Sequence, residues 1–123
     1  SIYRVSIGLV NKSYQCIELM PGWEKSSIAY HSDDGKIFFS FAKGIPYGPK
    51  YKEKDTVGLC LDNISNKVFF TLNGCKLDSY DYIYAEELYP CVSFRKENTK
   101  LLGNFGEYEF CFNITKYSKQ TYG

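Results

Sequence analysis

The residues best suited to chemistry are gathered in one short stretch, "AYHSDDG" at 29–35, where the chain's single histidine, His31, stands beside Asp33 and Asp34. A histidine next to carboxylates suits a base held by an orienting acid, provided a nucleophile such as Ser32 or Ser40 lies within hydrogen-bond reach. No G-x-S-x-G elbow or comparable nucleophile motif accompanies these residues. Calcium loops need carboxylates at alternate positions and a closing Glu. Adjacent Asp33 and Asp34 diverge in an extended segment, and no third ligand is spaced to complete a site. A glycosidase needs two carboxylates facing across a cleft, yet Asp34 and Glu107 lie far apart in sequence. Turn chemistry accounts for the stretch more simply: Asp side chains bond nearby N–H groups, and Gly35 is free to take positive φ. No catalytic residue, metal ligand or cofactor is expected.

Bulk properties narrow the partners. A chain of 123 residues makes one domain, 1–123, large enough to bury a core. Its net charge of +1 supplies no field to draw nucleic acid or an anionic membrane. In "PKYKEKD" the run Lys50, Lys52, Lys54 is interrupted by Glu53 and Asp55, the pattern of a solvated loop. No apolar run approaches the ~20 residues that span a bilayer, and the start lacks the basic and apolar regions of a signal peptide. Cys16, Cys60, Cys75, Cys91 and Cys111 are an odd, scattered set without a C-x-x-C pair. Reduced, structural thiols in a cytoplasmic or nuclear protein are expected. The Asn-x-Ser/Thr triplets at Asn11, Asn63 and Asn113 are the features that argue for a secreted glycoprotein.

The elements that must position these residues are strands. Aromatics make up 18% of the chain, favouring pleated, half-buried surfaces. "YRVSIGLV" alternates with Tyr3, Val5, Ile7 and Leu9 on one side, and "KIFFSF" predicts a second strong strand. In "DTVGLCLDNISNKVFFTLNGCKL", Val57, Leu59 and Leu61 and then Val68, Phe70 and Leu72 alternate, before Asn73-Gly74 supplies a type I′ turn. That predicts a three-stranded antiparallel meander. "LYPCVSF", "KLLGNF" and "EYEFCFNI" read as further strands, "SYDYIYAEEL" as one helical turn at most, and the polar tail "TKYSKQTYG" as frayed. Many short strands with turns every ~8–12 residues predict an all-β sandwich or barrel.

Five blocks in order, "MPGWEKSSIAYHSDDGKIFF", "PYGPKYKEKDTVGLCLD", "KVFFTLNGCKL", "LYPCVSF" and "GNFGEYEFCFNI", resemble SPRY domains, most closely those of Ran-binding protein M-type scaffold proteins. The resemblance runs from about Val5 to Ile114 and leaves 115–123 as a tail. It departs at Ala29 and Ser32, where the family pattern GYHGDDG has glycines. The chain also starts almost at a strand that relatives precede with one or two others; one sheet lacks an edge if those strands are absent.

The resemblance implies an all-β, SPRY-type bent sandwich of two antiparallel sheets without catalytic activity. It also implies a protein or peptide ligand held by loops at one end, and a scaffold in a larger multisubunit ubiquitin ligase complex. Register with peptide-binding relatives implies partner contacts at Phe38 and Phe41 on one wall and at Arg95, Lys96 and Glu97 on the other. Tyr30, Asp33, Asp34 and Tyr47 are expected on the rim, and Trp23 in packing. Strand alternation agrees that Phe38 points away from Ile37 and Phe39; it either anchors a partner or is covered by the "AKGIPYGP" loop. A carbohydrate-binding sandwich with sugar-stacking aromatics is the competing reading, and nucleic-acid binding and membrane insertion are not expected.

Overall fold

The computed structural model describes residues 4–11, 27–39, 44–81, 87–95 and 100–123. Strand β1 (Val5–Val10) is the hub of one sheet. It pairs antiparallel with β2 (Ile28–His31) on one side and with β8 (Tyr89–Phe94) on the other. Beyond β2 lie β3 (Lys36–Phe39) and the two-residue β4 (Ile45–Pro46), giving the order β4-β3-β2-β1-β8. The second sheet is the meander β5 (Val57–Asp62), β6 (Lys67–Leu72) and β7 (Cys75–Asp81). Its β6–β7 turn has φ of 50° at Asn73 and 84° at Gly74, the pair of left-handed residues a type I′ hairpin requires.

The core lies between the sheets. Val5, Leu9, Ile28, Tyr30 and Ile37 from the first meet Val68 and Phe70 from the second, with Tyr51 between. The Tyr30 and Phe70 rings lie 5.6 Å apart, and those of Phe39 and Tyr80 lie 4.9 Å apart edge to face. These contacts join sheet to sheet, so an all-β sandwich of two antiparallel sheets is the architecture, as the strand pattern predicts. In β7 an extra residue interrupts the ladder, with Leu77 and Asp78 standing opposite Phe70 alone. That is a β-bulge.

The C-terminal third differs from expectation. Neither "KLLGNF" nor "EYEFCFNI" forms a strand; residues 100–113 are irregular. Local side chains take the backbone groups that a ladder would need. The Asn104 carboxamide oxygen accepts from Gly106 N (3.0 Å) and Tyr108 N (3.2 Å), and Glu107 accepts from Phe105 N at 2.8 Å. The tail is no frayed end either, for α1 runs over Ile114–Tyr122. Asn113 caps its start by accepting from Lys116 N, and Gly123, at φ 92°, closes its end by donating to Lys119 O. Of "SYDYIYAEEL", Ser79–Asp81 belong to β7, and 82–86 lie outside the described residues.

Helix α1 covers the outer face of the meander. Phe69, which alternation turns away from the core, is fully buried because the rings of Phe112 (5.6 Å) and Tyr117 (5.1 Å) close over it. Tyr117 and Tyr122 both donate their hydroxyls to Asp62, which also receives Ile64 N and Ser65 N. Those donors, Tyr122 first, hold the Asp62 carboxyl well below the usual carboxylate range. The same bond pushes the Tyr117 phenol up to about 12.

Candidate functional site

Strand register decides which residues can act together. Val5 stands opposite Phe94, and Ser6 opposite both Ser93 and His31. The start of β1, the end of β8 and the β2–β3 turn therefore share one end of the larger sheet. Arg95 N donates to Arg4 O at 3.2 Å, which fixes the backbone at the end of β8. Arg4 Nε donates to Asp33 Oδ2 at 2.9 Å, and both side chains are about four-fifths buried, with exposures of 23% and 19%. Asp33 Oδ1 is buried without a hydrogen-bond partner.

The turn is held from three sides. Ser32 exchanges two bonds with β1: its N donates to Val5 O (2.8 Å), and its Oγ accepts from Val5 N (2.7 Å). The serine standing in place of a family-pattern glycine is thus a tie between strands, not an available nucleophile. Asp34 Oδ1 accepts from Lys36 N at 2.9 Å, the side-chain turn expected of this pair. Gly35 has φ of 68°, and its carbonyl accepts from both Tyr47 N and Gly48 N, which docks the loop after β4 onto the same end. A side chain at Gly35 would place its Cβ 2.2 Å from Gly48 O.

Beneath the turn the aromatics are packed away. His31 is buried and stacks on Phe38 with centroids 4.1 Å apart and planes 27° from parallel. Phe38 does face away from Ile37, but it is only 5% exposed. The backbone at Gly44 comes so close that a Cβ there would sit 2.6 Å from the Phe38 ring tip. The expectation of an exposed Phe38 is therefore corrected: the loop covers it. Tyr30 is corrected likewise from rim to core, being fully buried, with its hydroxyl bonded to Pro49 O and its ring between Tyr47 and Tyr51. Burial raises the Tyr30 phenol to about 12.

Tyr47 is half-buried and joins the sheets. Its hydroxyl donates to Asp78 O (2.7 Å) and accepts from Phe70 N (3.0 Å), filling the β7 bulge, and burial pushes this phenol too up to about 12. Asp34 and Arg95 are exposed at the end just described. Phe41, Lys96, Glu97, Trp23 and Ser40 lie outside the described residues. Ligand atoms of His31, Asp33 and Asp34 all come within 4.8 Å of one another, so the two carboxylates converge where an extended segment would spread them. The tight turn is the reason, and each group there already serves the fold: His31 in a stack, Asp33 on Arg4, Asp34 on Lys36 N.

The sequence matches the family model of the SPRY domain over residues 3–108. The chain belongs to that family. A crystal structure of a human SPRY domain is similar at a TM-score of 0.67 and 31% identity, covering 79% of this chain and 69% of that one. The Ran-binding protein M homolog of Arabidopsis thaliana is 35% identical over 114 residues, which are 93% of this SPRY domain and 24% of that protein. Human Ran-binding protein 9 is 38% identical over 101 residues, 82% of this chain and 14% of that protein. The SPRY chain thus spans a minor part of the curated relatives' lengths. Membership of the SPRY family, shared with Ran-binding proteins, supports a protein-interaction module. Among the described residues, no helix is long and apolar enough to cross a membrane.

Proposed function

We propose that this SPRY domain is a non-catalytic recognition module that holds a segment of another protein at the Arg95 end of its larger sheet. The observation that carries the reading is the register, which gathers Arg4, Arg95, the Ser32–Gly35 turn and the Tyr47–Gly48 loop at one end. That end has a backbone tied by reciprocal hydrogen bonds while Asp34 and Arg95 remain exposed. A rigid frame with charged groups free of burial suits recognition, because little ordering entropy is lost on binding.

Arg95 favours an acidic or carbonyl-rich segment, since its guanidinium makes charge-assisted, forked bonds to such groups. Lys96 and Glu97 follow Arg95 in sequence and belong to the proposed surface, whereas Phe41 follows Phe39, at the end of β3 away from the turn. Phe38 and Tyr30 serve it from below as support. A non-catalytic role is supported by His31 in its stack and by Ser32 Oγ accepting from Val5 N. Likeness to Ran-binding proteins supports placement in a larger scaffold of the Ran-binding protein M kind within a ubiquitin ligase complex. Cys60, Cys75, Cys91 and Cys111 are not in disulfides, which fits a cytoplasmic or nuclear compartment.

A peptide array probed with the chain tests this. A short linear ligand is expected; Arg95→Ala should weaken it about tenfold with unchanged melting, the scale of a hot-spot loss, and Asp34→Ala should weaken it too while loosening the turn that Asp34 holds through Lys36 N. Full-strength binding by both variants would overturn the surface.

A further inference from the structure

The chain is sparing with arginine. Of its fifteen basic residues only two, Arg4 and Arg95, carry a guanidinium; the rest are lysines scattered from Lys12 to Lys119. The fold brings those two together. Register runs from Ser6 opposite Ser93 to Val5 opposite Phe94, and its next step sets Arg4 against Arg95, where Arg95 N donates to Arg4 O at 3.2 Å. Residues directly opposite on antiparallel strands share a face, with Cβ atoms about 4.5–5.5 Å apart. Alternation makes it the face away from the one on which Val5 meets the core.

Like charges in that position repel and weaken a sheet. Only one of the two is answered. Arg4 gives its Nε to Asp33 Oδ2 at 2.9 Å, and its two Nη nitrogens take no partner among the described residues. Arg95 is exposed and has no ion pair among those residues. The other carboxylate of the turn is engaged elsewhere, for Asp34 Oδ1 accepts from Lys36 N. The pair thus keeps one unanswered charge and, from two planar forks, several N–H donors without acceptors.

We infer that Arg4 and Arg95 together form a site for a phosphate monoester carried on a side chain of the partner segment. The inference rests on the recognition end proposed above and names the chemistry of its ligand. A phosphate monoester carries close to two charges and three terminal oxygens, so it can take a fork from each guanidinium at once. A carboxylate offers two oxygens and a single charge. Lysine presents a point charge without a fork, which is why arginine in these two places of a lysine-rich chain has meaning. Asp33 acts as a positioning residue: it fixes the Arg4 guanidinium before a ligand arrives, so less side-chain freedom is lost on binding. The net charge of +1 supplies no broad field. That suits one phosphate met at one point, not the polyanionic surface of a nucleic acid or a membrane.

A peptide array printed in three forms tests the inference: unmodified, phosphorylated at Ser, Thr or Tyr, and with Glu at the same positions. Phosphorylated spots are expected to bind about tenfold more tightly than either counterpart. Arg95→Lys keeps the charge but not the fork, and should remove most of that preference with unchanged melting, because Arg95 is exposed. Arg4→Lys should do the same, with a melting curve to show that losing the Asp33 bond leaves it folded. Inorganic phosphate titrated into the wild-type chain gives a readout that needs neither peptide nor variant. Its two arginine Nε–Hε signals in the NMR spectrum should move together with one dissociation constant. Unmodified or Glu peptides that bind as tightly as phosphorylated ones, and still lose affinity in Arg95→Ala, would overturn the phosphate site and leave the recognition end standing. An array silent in all three forms would remove both. Phosphate that moves one arginine signal or neither would show that the two guanidinium groups do not make one site.

Discussion

Gly35 shows how one residue without a side chain sets the geometry of the candidate site. Its left-handed φ of 68° lets the β2–β3 hairpin close, and its carbonyl receives the Tyr47 and Gly48 N–H groups. Gly35→Ala meets two costs together, a positive φ and a Cβ 2.2 Å from Gly48 O. A loss of about 1–3 kcal/mol in urea unfolding is expected, the range for a strained backbone position. Weakened binding at the Arg95 end should accompany it, because the loop must shift; an unchanged unfolding midpoint would contradict this account. The turn was legible from "DDG" alone, for Asp and Gly are defined by local chemistry. Phe38 was not. Alternation says which face a side chain takes, whereas the loop that covers that face is a long-range fact, visible only in the approach of Gly44 to the ring.

At the scale of elements the meander and α1 make opposite cases. The meander could be read from period-two alternation and Asn73-Gly74, since those signals are local and reinforce one another. Helix α1 carried its cap signals in plain sight, Asn113 before it and Gly123 after it. Yet a nine-residue polar helix has too little intrinsic stability to form alone. What holds it is Asp62, from β5, and the outward-turned ring of Phe69, from β6, which Phe112 and Tyr117 cover. Asp62→Asn should therefore leave the sheets intact and strip hydrogen-exchange protection from the amides of 114–122. Asn113→Ala should cost the helix about 1 kcal/mol. The pH dependence has a definite sign. A carboxyl depressed below its ordinary 3.8 contributes stability that is present above that value and is lost only as pH falls through the lower folded value. The helix should accordingly remain docked as pH drops past 3.8, as followed by the near-ultraviolet circular dichroism of the Phe69–Phe112–Tyr117 cluster. Release before that point would show that Asp62 is not the clamp.

Across the whole molecule, the recognition end can be rigid only if the loop after β4 is fastened to both sheets, and Tyr47 does this. Its backbone N–H is on Gly35 in the first sheet; its hydroxyl sits in the bulge of the second, between Phe70 N and Asp78 O. Tyr47→Phe keeps the ring and its edge contact with Tyr30, centroids 5.4 Å apart, but leaves a part-buried N–H and a carbonyl unpaired. The expected cost is about 1–3 kcal/mol in global stability, with faster exchange of the Phe70 and Gly48 amides. A second signature separates this from a simple packing loss. The Tyr47 phenol is raised from 10.0 to about 12 by burial, as is that of Tyr30. A raised folded value means a contribution that is complete below pH 10 and is lost as pH rises through about 12, because the unfolded chain sheds the proton first. Wild-type stability should fall across that alkaline window, and Tyr47→Phe should fall less steeply, having one fewer buried phenol to ionise. Parallel alkaline profiles for the two proteins would place the Tyr47 hydroxyl in solvent and detach the loop from the second sheet.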